Sequence, residues 1–133
     1  MPEHGLRWAN VERLVVQWLR SRTTATVYTE TGSDLDAVAR AGGAILVQRS
    51  GGSTAVISKD IDVELWLYAG SRAALWALVA EVESVMFDLA ADATDEGYVD
   101  DVVEAFGFSQ EPYSNQAVRR ATATYQLTVR PKA

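Results

Sequence analysis

The sequence predicts an α+β fold, a two-layer domain in which a mixed, mostly antiparallel sheet is packed by two helices in the order α-β-β-β-α-β-β. Three observations carry this expectation. Apolar residues recur at helical spacing in two long stretches, Trp8 to Leu19 and Leu75 to Leu89. Strict alternation, the period of a half-buried strand, runs through DIDVELW and ATATYQLTV. In both strands the polar residues fall on one face and the apolar residues on the other, which suits an antiparallel sheet covered by helices on one side. The chain has 133 residues, a length at which one core buries roughly two thirds of the unfolded surface, so residues 1–133 are read as a single domain.

The elements follow in order. In RWANVERLVVQWLRSR, Trp8, Val11, Leu14, Val15, Trp18 and Leu19 form one stripe, and a helix is expected over about 6–21. TTATVYTE is β-branched and alternating, a strand at 24–30. A turn at 31–34 leads to a short helical turn from Asp34 through Ala41. Gly42-Gly43 breaks the chain before a second strand, AILVQRS, and Ser50-Gly51-Gly52-Ser53 reads as a flexible connection. A third strand covers about 56–69, with TAVIS either a separate piece or the far arm of a hairpin.

Ser71 is placed to cap the next helix, because its hydroxyl can accept from a free N–H of the first turn. Leu75, Leu78, Val79, Val82, Val85, Met86 and Leu89 then mark a helix over about 72–91, the strongest periodic signal in the chain. A polar loop at 91–97 precedes a strand near 98–109, and EPYSNQAV is irregular, with Pro112 interrupting any ladder. The last strand sets Ala121, Ala123, Tyr125, Leu127 and Val129 against Thr122, Thr124, Gln126 and Thr128 on the opposite face.

Composition narrows the function classes. There is no cysteine, so disulfides, thiolate catalysis and cysteine-zinc sites are excluded. The net charge of −6 opposes non-specific binding to nucleic acid or anionic lipid. No apolar run has the length of a signal sequence or a membrane span, and a protein made and used in the cytoplasm, or in something assembled there, is expected.

His4 is the sole histidine and lies in the terminal segment, so neither a Ser-His nor a Cys-His pair can be assembled around a core histidine. No phosphate-binding glycine motif occurs, because no lysine follows Gly42-Gly43 or Gly51-Gly52 at the required spacing. Asp60, Asp62 and Glu64 share a strand face with neighbours roughly 6.5–7 Å apart. Oxygen ligands of this kind suit Mg²⁺ or Ca²⁺, but the spacing needs a further ligand from another strand, and a solvated or interface face is the simpler reading. The acids Asp92, Asp95, Glu96, Asp100 and Asp101 read as a solvated loop.

Trp8 and Trp18 belong to the first helix's core stripe, and Trp76 sits one step off the stripe of the second. Trp66 and Tyr68 share the acids' face, where an aromatic pair suits a protein contact; the neighbouring acids argue against stacked bases. Arg119 and Arg120 could pair with acids of a neighbouring strand or subunit. Together Asp60, Asp62, Glu64, Trp66, Tyr68, Arg119 and Arg120 are the candidate interface. No catalytic residue, metal ligand or cofactor site is assigned.

Three stretches taken together resemble the tail terminator proteins of long-tailed bacteriophages, also called tail-completion or minor tail proteins. AILVQRSGGS resembles their strand and glycine turn. DIDVELWLYAGSRAALWALVAEVESVMFDL resembles their central acid-alternating strand followed by an Ala-rich helix, and AVRRATATYQLTVR their C-terminal strand. VERLVVQWLRSR fits the opening helix. The likeness covers most of the chain as a pattern of elements, and no motif in it is catalytic. GFSQEPYSNQ, within residues 107–116, departs from it, since these proteins often carry a Trp or a Pro-Asp-type turn there.

The resemblance implies a non-enzymatic virion protein at the neck of the tail, assembled in the host bacterial cytoplasm. It would form a homo-oligomeric ring, usually a hexamer, on the head-proximal end of the tail tube. The ring ends tube polymerisation and offers a joining surface to head-completion or connector proteins. Its partners would be further copies of itself, the major tail tube protein and the connector, with DNA only as passing cargo and no membrane. The other readings are a head-completion or neck ring protein, a contractile-sheath cap, a small ligand-binding regulatory module, and a metal-dependent nuclease using Asp60, Asp62 and Glu64.

Overall fold

The computed structural model describes residues 7–8, 10–54, 58–90, 93–94 and 97–132. The elements are β1 (Arg7–Trp8), α1 (Val11–Arg22), β2 (Thr26–Tyr28), α2 (Leu35–Gly42), β3 (Ala44–Thr54) and β4 (Lys59–Ala69). They continue with α3 (Arg72–Met86), a 3-10 turn at Phe87–Leu89, β5 (Ala93–Thr94), β6 (Gly97–Glu111), β7 (Arg119–Val129) and β8 (Pro131–Lys132). The main sheet has strand order β2-β3-β4-β7-β6-β5. β2 and β3 are parallel; the other neighbours are antiparallel. β1 and β8 form a separate two-stranded pair. This is the α+β class expected from the sequence, with a mixed and mainly antiparallel sheet.

One face of the sheet carries the main core. Ile45 and Val47 of β3, Ile61, Val63, Leu65 and Leu67 of β4, and Ala121, Ala123, Tyr125, Leu127 and Val129 of β7 are buried there under α1 and α3. Asn10 starts α1 by accepting the Arg13 N–H at 3.1 Å. This places the helix start at Val11 and leaves residues 7–8 to pair with β8, where the sequence had suggested a start near residue 6. The Trp18 indole N–H donates to the Val85 carbonyl at 2.9 Å, tying α1 to α3. Ser71 caps α3 as its position suggested, accepting the Ala74 N–H at 3.1 Å. The α helix ends at Met86, and the 3-10 turn carries its stripe on to the buried Leu89.

Two expectations need correction. Ser50-Gly51-Gly52-Ser53 is not a flexible connection, because β3 continues through it to Thr54. The register shifts between Arg49 and Gly51, so Ser50 is the extra residue of a bulge. Gly52 has φ 130°, and a Cβ there would lie 1.9 Å from the Asp60 carbonyl oxygen. Only glycine lets β3 pass β4 this closely.

The second correction concerns helices. Three pack on the sheet, not two, and the segment expected as a short turn at 34–41 is α2. Parallel neighbours can be joined only by a crossover, and α2 is the crossover from β2 to β3. It lies on the face opposite α1 and α3. There Leu35 and Ala39 join Ala44, Leu46, Tyr68 and Val118 in a second buried cluster, with Tyr28, Val38, Trp66 and Tyr113 at its margin. The two-layer description therefore holds over the half of the sheet that α2 leaves open.

Candidate functional site: the open sheet face

Beyond α2 no helix among the described residues covers the second sheet face, and three cross-strand rows run over it. Gln48, Glu64, Thr124 and Phe106 form one. Gly51, Asp62, Gln126 and Val103 form the next, and Ser53, Asp60, Thr128 and Asp101 the third. The alternation of β4 and β7 that buries their other faces necessarily turns these side chains outward.

The carboxylates are held in place by β7. Thr128 donates its hydroxyl to Asp60 at 2.7 Å, and the Gln126 amide donates to Asp62 at 3.1 Å. Asp60, Asp62 and Glu64 remain half-exposed. They line up along the strand and do not converge. Among the described residues no three His, Cys, Asp or Glu side chains are grouped as a metal site would require. The arrangement is an ordered anionic stripe, able to repel phosphate or to meet cationic side chains.

The aromatic end of β4 lies elsewhere. Tyr68 is 3% exposed, and its ring meets Tyr113 edge-on at 5.3 Å between centroids. Tyr68 therefore belongs to the second core and has no surface to offer a partner. Trp66 is half-buried, with the Arg120 guanidinium 4.9 Å from its ring centroid. The same guanidinium is 5.2 Å from the Tyr113 ring and donates to the Pro112 carbonyl at 2.6 Å. Arg119 donates to the Gln116 carbonyl at 2.7 Å. Both arginines secure the β6–β7 connection, and neither forms an ion pair with the β4 acids among the described residues.

That connection is also clamped to α2. Asp36 accepts from the Tyr113 hydroxyl at 2.6 Å and from the Asn115 amide at 3.0 Å. These two donors hold the Asp36 carboxyl below the usual carboxylate range, and the bond to Asp36, with burial second, pushes Tyr113 up to about 12. Within GFSQEPYSNQ, the stretch that departs from the tail-terminator pattern, Tyr113 therefore packs at the margin of the second core, while Phe108 packs against the main one.

The candidate set thus splits. Asp60, Asp62 and Glu64 share the open face; Trp66 and Arg120 stand at its border; Tyr68 is beneath α2; Arg119 is at the sheet end. Sequence reasoning missed the apolar members of the open face, Val103 and Phe106, which are 48% and 73% exposed. β6 has register shifts at Val99/Asp101, Glu104/Phe106 and Phe106/Ser109, so period two could not reveal which of its residues face outward. His4, Asp92, Asp95 and Glu96 lie outside the described residues.

On the core face, Tyr125 donates its hydroxyl to Glu104 at 2.7 Å. Burial, then this bond, raises the Tyr125 pKa. Arg130 pairs with Asp100 at 2.8 Å. Among the described residues no helix is long and apolar enough to cross a membrane. Compared with known proteins, the chain matches no family model and no curated sequence.

Proposed function

We propose that this protein is a structural virion protein of the tail-terminator kind, a ring that caps the head-proximal end of a phage tail tube, ends tube polymerisation and presents the head–tail joining surface. The observation that carries the reading is the open sheet face. One half of the sheet is covered on both sides, while the other half holds an ordered row of carboxylates in the open. A ring subunit needs such a surface, either toward the lumen or at the joint with its neighbour.

Facing the lumen, repeated copies of Asp60, Asp62 and Glu64 would oppose adhesion of DNA phosphates. Charge screening limits that effect to within roughly 8–10 Å of the wall at physiological salt. The stripe would therefore act as a non-stick lining and not as a long-range barrier. Ring closure needs heterologous contacts related by rotation, and the partners in this reading are further copies of the chain, the tube protein and the connector. The working place would be the neck of the virion tail.

The test is tube length. Purified protein added to polymerising cognate tube protein should give tubes blocked at one end and a shorter length distribution. The Asp62→Lys/Glu64→Lys double variant should fold normally yet fail in ring closure or DNA passage. Unchanged tube lengths with wild-type protein, or full assembly and infectivity with the double variant, count against the reading.

A second reading rests on a different feature. A groove of about 500 Å³ lies between the end of α2 and the first turns of α3, lined by Ala39, Arg40, Gly43, Ala69, Ala74 and Leu78 among others. Its size is within the range of small-molecule sites, which suits a ligand-binding regulatory module. A ligand-dependent rise in melting temperature would favour that alternative.

A further inference from the structure

The second core is held less securely than the first. α1 buries six side chains against the sheet and α3 buries five, whereas α2 buries two, Leu35 and Ala39. At eight residues α2 is too short to persist without tertiary contacts, and Asp34 at its N-terminus supplies no side-chain cap. Its fastening to the rest of the fold is Asp36. That one carboxylate accepts from Tyr113 at 2.6 Å and from Asn115 at 3.0 Å, both in the β6–β7 connection.

Both ends of α2 are free to bend. Residues 29–34, which lead into it from the three-residue edge strand β2, are all exposed. At the other end a Cβ on Gly42 would meet nothing within 4 Å, and Gly43 has φ 90°. The surface underneath is incompletely satisfied. The Trp66 indole N–H and the Arg120 Nε are buried with no hydrogen-bond partner among the described residues. A buried donor without an acceptor is destabilising, and water reaching it removes that penalty. Closure of α2 therefore gains apolar burial and the Asp36 bonds, and loses hydration of two donors.

We propose that α2 is a lid: α2 and the β6–β7 connection open together, released at Asp36 and bending at residues 29–34 and Gly42, while the sheet and its α1–α3 layer stay folded. The β3–β4 and β4–β7 ladders include no bond to α2, so they survive the opening. Two cross-strand rows become accessible, Tyr28, Leu46, Trp66 and Thr122 in one, and Thr26, Ala44, Tyr68 and Arg120 in the other. The first of these borders the row of Gln48, Glu64, Thr124 and Phe106, so the open face gains an aromatic and aliphatic extension that the closed lid conceals. The opening is sub-global, of the kind in which one cooperative unit detaches below the free energy of full unfolding. It is a property of the monomer and stands or falls apart from the ring reading.

Native-state hydrogen exchange over a urea series, read residue by residue by NMR on the full chain, tests it. The lid probes are the amides of Val38 and Gly43, which donate to Asp34 and Ala39; the main-core probes are the amides of Leu78, Val79 and Val82. The lid probes are expected to exchange faster than the core probes and with a smaller urea dependence. Val82→Ala, which loosens only the main core, should speed exchange in α3 and leave the lid probes unchanged. Tyr113→Phe, which removes one bond to Asp36, should speed the lid probes about tenfold. The chain has no cysteine, so a Val118→Cys thiol in the second core reports the other half of the lid, and its labelling should give the same opening constant as the amides. Lid probes that share the urea dependence of α3, or that quicken with Val82→Ala by the same factor, show that α2 leaves only on global unfolding and overturn the proposal. A thiol that opens only with α3 while the α2 amides exchange freely reduces the motion to fraying of one helix and also overturns it. Unchanged lid probes in Tyr113→Phe overturn Asp36 as the fastening.

Discussion

Tyr68→Ala separates a residue of the monomer core from a residue of an interface. The sequence places Tyr68 on the same strand face as Asp60, Asp62 and Glu64, and the structure covers it with α2 and the β6–β7 connection. Truncation removes a ring that is 3% exposed and its edge-on contact with Tyr113. An aromatic-to-alanine change in a core costs about 3–5 kcal/mol, of which about 1 kcal/mol belongs to the aromatic pair. With a urea m-value of about 2 kcal/mol per molar, the unfolding midpoint should fall by about 2 M. Tyr113→Ala, at the margin of the same cluster, should cost less, about 1–2 kcal/mol, and should also release Asp36. Equilibrium urea unfolding of monomeric protein, followed by tryptophan fluorescence and far-UV circular dichroism, reads both effects. A midpoint within about 0.3 M of wild type for Tyr68→Ala would refute the second core and return Tyr68 to the surface.

Other expectations follow from particular contacts. Gly52→Ala should destabilise by about 3 kcal/mol, since a methyl group cannot coexist with the Asp60 carbonyl; a wild-type melting temperature contradicts the bulge geometry. The Asp36 clamp should be pH-dependent at both ends. Because the Asp36 carboxyl titrates below its ordinary value, its contribution is complete above about pH 4 and fades as pH falls through the folded pKa. Because Tyr113 is raised to about 12, its contribution is complete below about pH 10 and is lost as pH climbs toward that value. The melting-temperature gap between wild type and Tyr113→Phe should accordingly shrink in acid, and a gap constant from neutral pH to about pH 3 contradicts the clamp. Tyr125→Phe should cost about 1 kcal/mol by stranding the half-exposed Glu104, measured by urea unfolding; a neutral effect shows that water replaces the hydroxyl.

Legibility followed burial. β4 and β7 could be read residue by residue because each packs one face against α1 and α3 and leaves the other polar. α3 was equally clear in its stripe and in its Ser71 cap. α2 reads only as a short turn because its eight residues are fewer than a helical period needs to declare itself, and its role as a crossover follows from the parallel pairing of β2 with β3, a non-local fact. Tyr68 reads as an interface residue for the same reason: strand alternation assigns its face correctly but does not say that α2 covers it. Phe106 and Val103 were missed because three register irregularities in β6 break the alternation. The Gly51-Gly52 pair suggested a loop, whereas Gly52 serves a close approach of two strands. Within the candidate site, the carboxylate stripe was fully legible, and its apolar neighbours were not.

The central claim is that this chain closes into a ring. Mass by light scattering over a concentration series, with negative-stain images of the same fractions and of cognate tubes after addition of the protein, tests it most directly. Closed rings with a central hole, free or seated on one end of each tube, are the expected result. A strict monomer at every concentration, with tube ends left bare, would contradict it.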